Sequence, residues 1–311
     1  MSATSIKIGG EGKVAASPRF GSSLLRQTIA FVEQQGPKLG WGLLSVGLFA
    51  GLWEFLWYIN VADHRLLPPP HVFLGNFADQ AKNFNTAKRW EIGVDPNSGP
   101  TPFEAVIITM ASSTMRVLAG LAIAATASLC MGIVIRYYGL FGKLVLPTVT
   151  LLAPVSPVAW LPVAIFLFGI GNGPAIFMVF IALFFTMTLA TITQIDSVNR
   201  NYINVARTMG ASKRQIYTRV ILPAILPGLL VVLRLNLFGA WMVVLVAEAT
   251  GVGYGLGQII SMARNTFNPG LVYFTIVIIG LLGFTFDFAL LLLQQRVLFW
   301  LPKGQGGLGS G

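Results

Sequence analysis

Six stretches of this chain are long and apolar enough to cross a bilayer, and that fact constrains everything else. They are Trp41–Val61, Phe103–Ile135, Lys143–Phe168, Pro174–Thr193, Pro223–Ala247 and Leu271–Trp300. A span needs about 20 predominantly apolar residues, because the hydrocarbon core is about 30 Å thick. In that medium every backbone group must find its partner within the protein, so runs of this length mean helices. Only 10% of the 311 residues are charged, against about 25% in soluble domains. The chain therefore reads as an all-α membrane protein with six transmembrane helices. The second and sixth stretches exceed a bilayer and are expected to tilt or project beyond it. The third carries Pro154, Pro157 and Pro162, and is expected to be broken where neighbours satisfy the freed backbone. Residues 1–40 offer neither a continuous apolar core nor a small-residue cleavage site, so no cleavable signal peptide is expected.

Charge sets the orientation. With the N-terminus inside and six alternating spans, fourteen of the 21 Lys and Arg residues fall on the inner side. Five fall outside: Arg65, Lys82, Lys88, Arg89 and Arg264. The cytoplasmic excess of basic residues in membrane proteins then predicts N-in/C-in. The net charge of +10 is accounted for by these loops, and with no basic-aromatic patch it does not point to nucleic acid. The expected layout is a cytoplasmic N-terminal segment over 1–40, a transmembrane domain over 41–303 and a flexible tail over 304–311.

One segment breaks the apolar pattern without being a simple turn. "NVARTMGASKRQIYTRVILP" (204–223) lies between the fourth and fifth spans. Tyr202, Val205, Ala206 and Met209 recur at helical spacing and form one apolar stripe. Gly210 suits the left-handed position that ends a helix. Ser212-x-x-Gln215 has the form of a capping box opening a second helix, and Pro223 suits the first position of the next span. The segment is thus helix, sharp corner, helix on the inner face. Its stripe can lie on anionic lipid or dock into another protein.

The same segment resembles the cytoplasmic loop motif of permease subunits of binding-protein-dependent ABC importers. That motif runs Glu-Ala-Ala, three residues, Gly, nine residues, Ile-x-Leu-Pro. Here Asn204-Val205-Ala206 is followed by Gly210 and then Val220-Ile221-Leu222-Pro223, with Asn204 and Val205 departing from the Glu-Ala pair. "LLPPPHVF", "SSTMRVLAGLAIA", "PVSPVAWLPVAIFLFGIGN" and "LRLNLFGAWMVVLVAEATGVGYGLGQII" are similar to the nitrate/sulfonate/taurine/bicarbonate-type subfamily. The resemblance implies a type I ABC importer permease fold in a bacterial cytoplasmic (inner) membrane, multi-pass. It implies a coupling loop over 196–222, with Asn204, Val205, Ala206, Arg207, Met209, Gly210 and Ala211 meeting a partner ATPase. It further implies a second permease copy, two cytoplasmic ABC ATPase subunits, an outer solute-binding protein and a small anion as substrate. ATP and Mg would sit on the ATPase, with no cofactor in this chain, which carries no Walker Gly-x4-Gly-Lys-Ser/Thr.

Charges within the spans point to a path. Arg234 lies eleven residues past Pro223, or about 16 Å along a helix and near the midplane. Trp241 and Glu248 follow at intervals of seven, which returns them to nearly one face with a drift of about 20°. A mid-membrane Arg is paired or faces a wet cavity. Asp287 and Glu54 are its candidate partners, and Arg116 raises the same question. Arg234, Trp241, Glu248 and Arg116 are therefore the candidates for lining a translocation path. "GVGYGLG" (251–257) reads either as a re-entrant cap on its outer end or as a plain loop.

The remaining signals are bland. His64 and His71 are too few to make a metal site, so none is expected. Cys130, the one cysteine, is expected as a buried inert thiol. "GIGNG" (169–173) reads as a tight turn, since it lacks the following Lys-Ser/Thr of a phosphate loop. The alternative function, an ion-coupled secondary transporter or channel, would call for repeat symmetry and midplane ion ligands. An enzyme would call for clustered catalytic residues. Neither pattern is visible, and no enzymatic activity is expected of this chain.

Overall fold

The computed structural model describes residues 40–42, 44–59, 67–84 and 101–298. The 1–39 and 304–311 segments, the "GVDPNSGPTP" loop up to Pro100, and His64 lie outside them. The chain divides into two units at His64. Among its described residues the first contains one helix, α1 (Gly40–Tyr58), apolar and long enough to cross a membrane. The second contains the remaining helices, and there is no strand among its described residues.

The second unit opens with two short helices, α2 (Pro70–Gly75) and α3 (Phe77–Lys82). Their aromatics Phe73 and Phe77 meet Tyr273 and Phe274. Helix α4 (Pro102–Tyr137) starts at a full capping box, Thr101 with Glu104, and has Pro102 at its first turn. Its 36 residues extend about 54 Å, longer than a bilayer core is thick. Next come α5 (Gly139–Leu152), a 3-10 turn (Pro157–Trp160) and α6 (Leu161–Phe168). The chain bends by 100° between α5 and the segment ending in α6. Pro154 and Pro157 flank that bend, where their missing N–H groups interrupt the ladder.

The bent pair nevertheless completes a crossing, and the register of its neighbours proves it. Helix α7 (Asn172–Asp196) follows the pair. A Cβ added at Gly120 of α4 would stand 2.6 Å from Val179 of α7, and one at Gly132 would stand 2.6 Å from Thr191. Both pairs are offset by 59 positions, so α4 and α7 run parallel, backbone close to backbone. A re-entrant loop would have returned the chain to the side where α4 ended and made α7 antiparallel. Small residues are what permit such approach in membranes. Ala124 and Ser128 bury on this same face, while Cys130, expected inside, lies on the exposed face of α4.

After α7 the chain forms α8 (Arg200–Thr208) and α9 (Lys213–Ile216), a π-helical turn (Tyr217–Ile221) and α10 (Leu222–Ala247). The span was expected to begin at Pro223. Instead helix runs unbroken from Lys213 to Val252. The π turn supplies the reason: Leu222 N–H donates to Tyr217 O, five residues back. The ladder thus changes register just before a residue that has no N–H to donate. A second π turn (Glu248–Val252) ends the span, and α11 (Leu256–Asn265) and α12 (Pro269–Val297) follow. "GVGYGLG" is therefore not a plain loop. It is a π turn, two glycines at φ 80° and 127°, and the first turn of a helix. The core lies where α4, α7, α10 and α11 meet, with Val117, Met178, Leu237, Val244 and Ile259 fully enclosed.

Candidate functional site: two ends of one helix bundle

At one end of the second unit, α8 and α9 form a corner. Asn199 caps α8 by accepting from Asn201 N–H at 2.9 Å. At its other end Gly210 adopts φ 79°, a conformation that a Cβ disfavours. Gly210 N–H then donates to Arg207 O at 2.9 Å and Ala211 N–H to Ala206 O at 3.0 Å, the paired bonds of a Schellman stop. Ser212 and Gln215 make the reciprocal bonds of a capping box, at 3.3 and 2.8 Å. One side of the corner is anchored: Ile203, Ala206 and Ala211 pack on Ile195, Ile216, Ile221 and Ile225. The other side is bare, with Met209 81% exposed and Tyr202 and Val205 beside it. With Arg219 and Val220 these residues wall an open depression of about 410 Å³.

The opposite end is organised around a buried ion pair. Arg116 Nη1 donates to Glu248 Oε1 at 2.5 Å, with the two side chains 2% and 0% exposed. Arg116 Nε donates to Asn172 Oδ1 at 2.7 Å, and Tyr254 covers the guanidinium, its ring centroid 4.2 Å away. The Tyr254 hydroxyl donates to the same Asn172 oxygen at 2.9 Å. Glu248 also accepts from Gly257 N–H at 3.0 Å, so its carboxylate satisfies an orphan donor at the N-terminus of α11, the end that favours negative charge. Ser113 Oγ accepts from the neighbouring Leu256 N–H at 3.0 Å. Gly255 makes room for the carboxylate, since a Cβ there would meet both oxygens at 2.6 Å. One network thus fastens α4, α7, α10 and α11.

Arg234 forms a separate pair. It donates to Asp287 of α12 through Nε at 2.5 Å and Nη2 at 2.6 Å, a planar fork on a carboxylate. The two side chains are 35% and 18% exposed. Asp287 also lines a groove of about 380 Å³ between α10 and α12, with Trp241, Phe238, Met242, Gly283 and Phe284 among its walls.

Of the four path candidates, the structure leaves only Arg234 partly open in the single chain. The seven-residue spacing implied one shared surface for Arg234, Trp241 and Glu248; Trp241 lines the groove with Asp287, the partner of Arg234, and Glu248 leaves that face. Trp241 is buried, and Glu248 turns inward to Arg116 from the π turn, where the helical phase changes. Asn172 and Tyr254 escaped sequence reading, although "GIGNG" reads as a tight turn and "GVGYGLG" as a re-entrant cap or a loop. Nothing in the sequence pairs positions 116 and 248. Asp287 had been one of two candidates for Arg234.

Comparison with known proteins bears on the whole arrangement. Residues 120–299 match the family model of the binding-protein-dependent transport system inner membrane component. A probable ABC transporter permease protein of Brucella abortus is 33% identical over 62% of this chain and 77% of its own length. The taurine transport system permease protein of Escherichia coli is 27% identical over 83% of this chain and 89% of its own. A nitrate import permease protein of Leptolyngbya laminosa is 28% identical over 67% and 75% respectively. A chain of the MetNI methionine ABC transporter, solved in an inward-facing conformation, superposes with a TM-score of 0.56 at 19% identity, over 62% of this chain and 95% of that one. The chain belongs to the family of binding-protein-dependent ABC importer permeases, and its fold is that of a type I importer subunit.

Proposed function

We propose that this permease forms the translocation path for a small anionic solute, delivered by an outer solute-binding protein and moved by ATP hydrolysis on separate chains. The α8–α9 corner carries the reading. It is rigidly built, anchored on one side, and presents Tyr202, Val205 and Met209 bare on the other. Asn204, Val205, Arg207, Met209 and Gly210 would seat in a cleft of the ATPase, while Ala206 and Ala211 hold the corner to the bundle. Two such clefts call for two permease copies, most simply two of this chain, with ATP and Mg held by the ATPases. The nitrate relative supports an anion, and the taurine relative supports a solute with an anionic sulfonate group. The expected layout keeps the corner and both termini inside an inner bacterial membrane. Parity supports this: with the bent pair as one crossing and α1 as another, six crossings return the chain to its starting side.

Arg234 and Asp287 are assigned to the path wall. A charge pair open to acyl chains is costly, so the α10–α12 face that carries it meets protein or water. Arg116 and Glu248 hold the outer closure. The test is capture of the cognate ATPase by purified chain. Met209→Asp should abolish it, and retained capture would remove the corner from the interface.

A further inference from the structure

Helix α4 ends against the corner in an unusual way. The last four carbonyls of a helix lack intrahelical partners, and two of those of α4 are taken by side chains from beyond Gly210. Lys213 Nζ donates to Tyr137 O at 2.5 Å, and the Tyr217 hydroxyl donates to Arg136 O at 2.9 Å. The Lys213 ammonium also stands 4.3 Å from the Tyr137 ring centroid, and the Tyr137 and Tyr217 rings meet edge to face at 5.2 Å. A cation at a helix C-terminus is favoured by the dipole, and a cation over an aromatic face adds to it. Arg136 itself forms an ion pair with Asp196 of α7. The corner is therefore clamped to the end of α4, which is itself ion-paired to the end of α7.

Farther back along α4, near the middle of the helix, the hold is as firm. Arg116 sits twenty positions before Arg136, about 30 Å along the helix, and there it grips Glu248. Tyr217 and Glu248 are the first residues of the two π turns that bound α10. Such turns are frequent at functional sites, where the helical ladder is locally re-registered. One helix, α4, is thus gripped twice by the same neighbour, at each place where that neighbour's ladder changes register.

We infer that Lys213 and Tyr217 are positioning residues for coupling, passing displacement of the docked corner to the inner end of α4 and along it to the Arg116–Glu248 closure. The covalent route from α9 into α10 crosses the Tyr217–Ile221 π turn, where the ladder changes register. The clamp reaches α4 directly, and α4 is continuous α-helix from there to Arg116. This rests on the docking reading above, because a corner that meets no ATPase has nothing to transmit.

The experiment uses the complete importer in proteoliposomes, with its own ATPase and solute-binding protein. It measures ATP hydrolysed per solute imported for wild type, Tyr217→Phe, Lys213→Met, the double variant and Lys213→Arg. Tyr217→Phe keeps the ring and removes only the donor, so it preserves packing. ATPase capture should be unchanged, because neither residue belongs to the docking surface. The double variant should raise the ATP-to-solute ratio by about fivefold or more, the low end for a coupling free energy. Lys213→Arg, which keeps a cation and donors, should hold the ratio near wild type. A lower melting temperature with an unchanged ratio would make the clamp a helix cap only and overturn the inference. Failure of the docking reading is separable, since it shows as ATPase capture that survives Met209→Asp.

Discussion

Glu248 has no solvent access and three tasks: it neutralises Arg116, caps α11 and fills the space beside Gly255. Removing one partner of such a buried pair leaves a bare charge, at a cost of about 3–5 kcal/mol. Glu248→Gln should therefore lower the melting temperature of the purified chain sharply, and Arg116→Met added to it should recover much of the loss. No loss in the single variant would contradict the burial of the pair. Gly210→Asp forces a charged, branched side chain into φ 79° and should uncouple ATP hydrolysis from uptake in an assembled complex. Arg234→Lys keeps the charge but loses the fork on Asp287. It should assemble and transport with lower efficiency, whereas Arg234→Ala should fail. If Arg234→Ala with Asp287→Ala restores wild-type uptake, the pair is structural alone. Gly210 was legible in the sequence because a left-handed stop has a local signature. The pairing of Arg116 with Glu248 was not, because it depends on where two remote turns, "GIGNG" and "GVGYG", are brought together in space.

The elements were legible in proportion to their length and apolarity. The runs behind α4, α7 and α12 are long and continuous, and their bounds moved by only a few residues at most ends. Helix α11 was missed because it is short, amphipathic and introduced by glycines, so its pattern resembles a loop. The α-helix of the fifth span, Leu222–Ala247, lies within a residue of the expected Pro223–Ala247, but its continuity with α9 was missed because Pro223 reads locally as a helix start, while the π turn before it lets the helix pass. The parallel packing of α4 on α7 was invisible, since Gly120 and Gly132 look like any glycines in an apolar run. That packing yields its own expectation: Gly132→Val thrusts carbon into Thr191, and overpacking of this kind costs about 1–3 kcal/mol. The variant should yield less folded protein by fluorescence-detected size exclusion. Cys130→Val on the exposed face of the same helix should not, and equal loss from both would contradict the α4–α7 register.

For the whole molecule, six crossings require that the corner and the α11–α12 turn open to opposite sides. Phe267, in that turn, is 92% exposed. In a chain lacking Cys130, Phe267→Cys should react with an impermeant thiol reagent applied outside intact cells, and Met209→Cys only after the membrane is opened. Two copies of this chain should appear with two ATPases in the native mass of the complex; one copy beside a different permease would refute the homodimer alone. The most direct measurement is uptake into proteoliposomes holding the purified chain, its ATPase and its binding protein. Import should require internal ATP and the binding protein, persist when the proton gradient is dissipated, and stop in Gly210→Asp. Import that continues without the ATPase and collapses with the proton gradient would show an ion-coupled carrier instead.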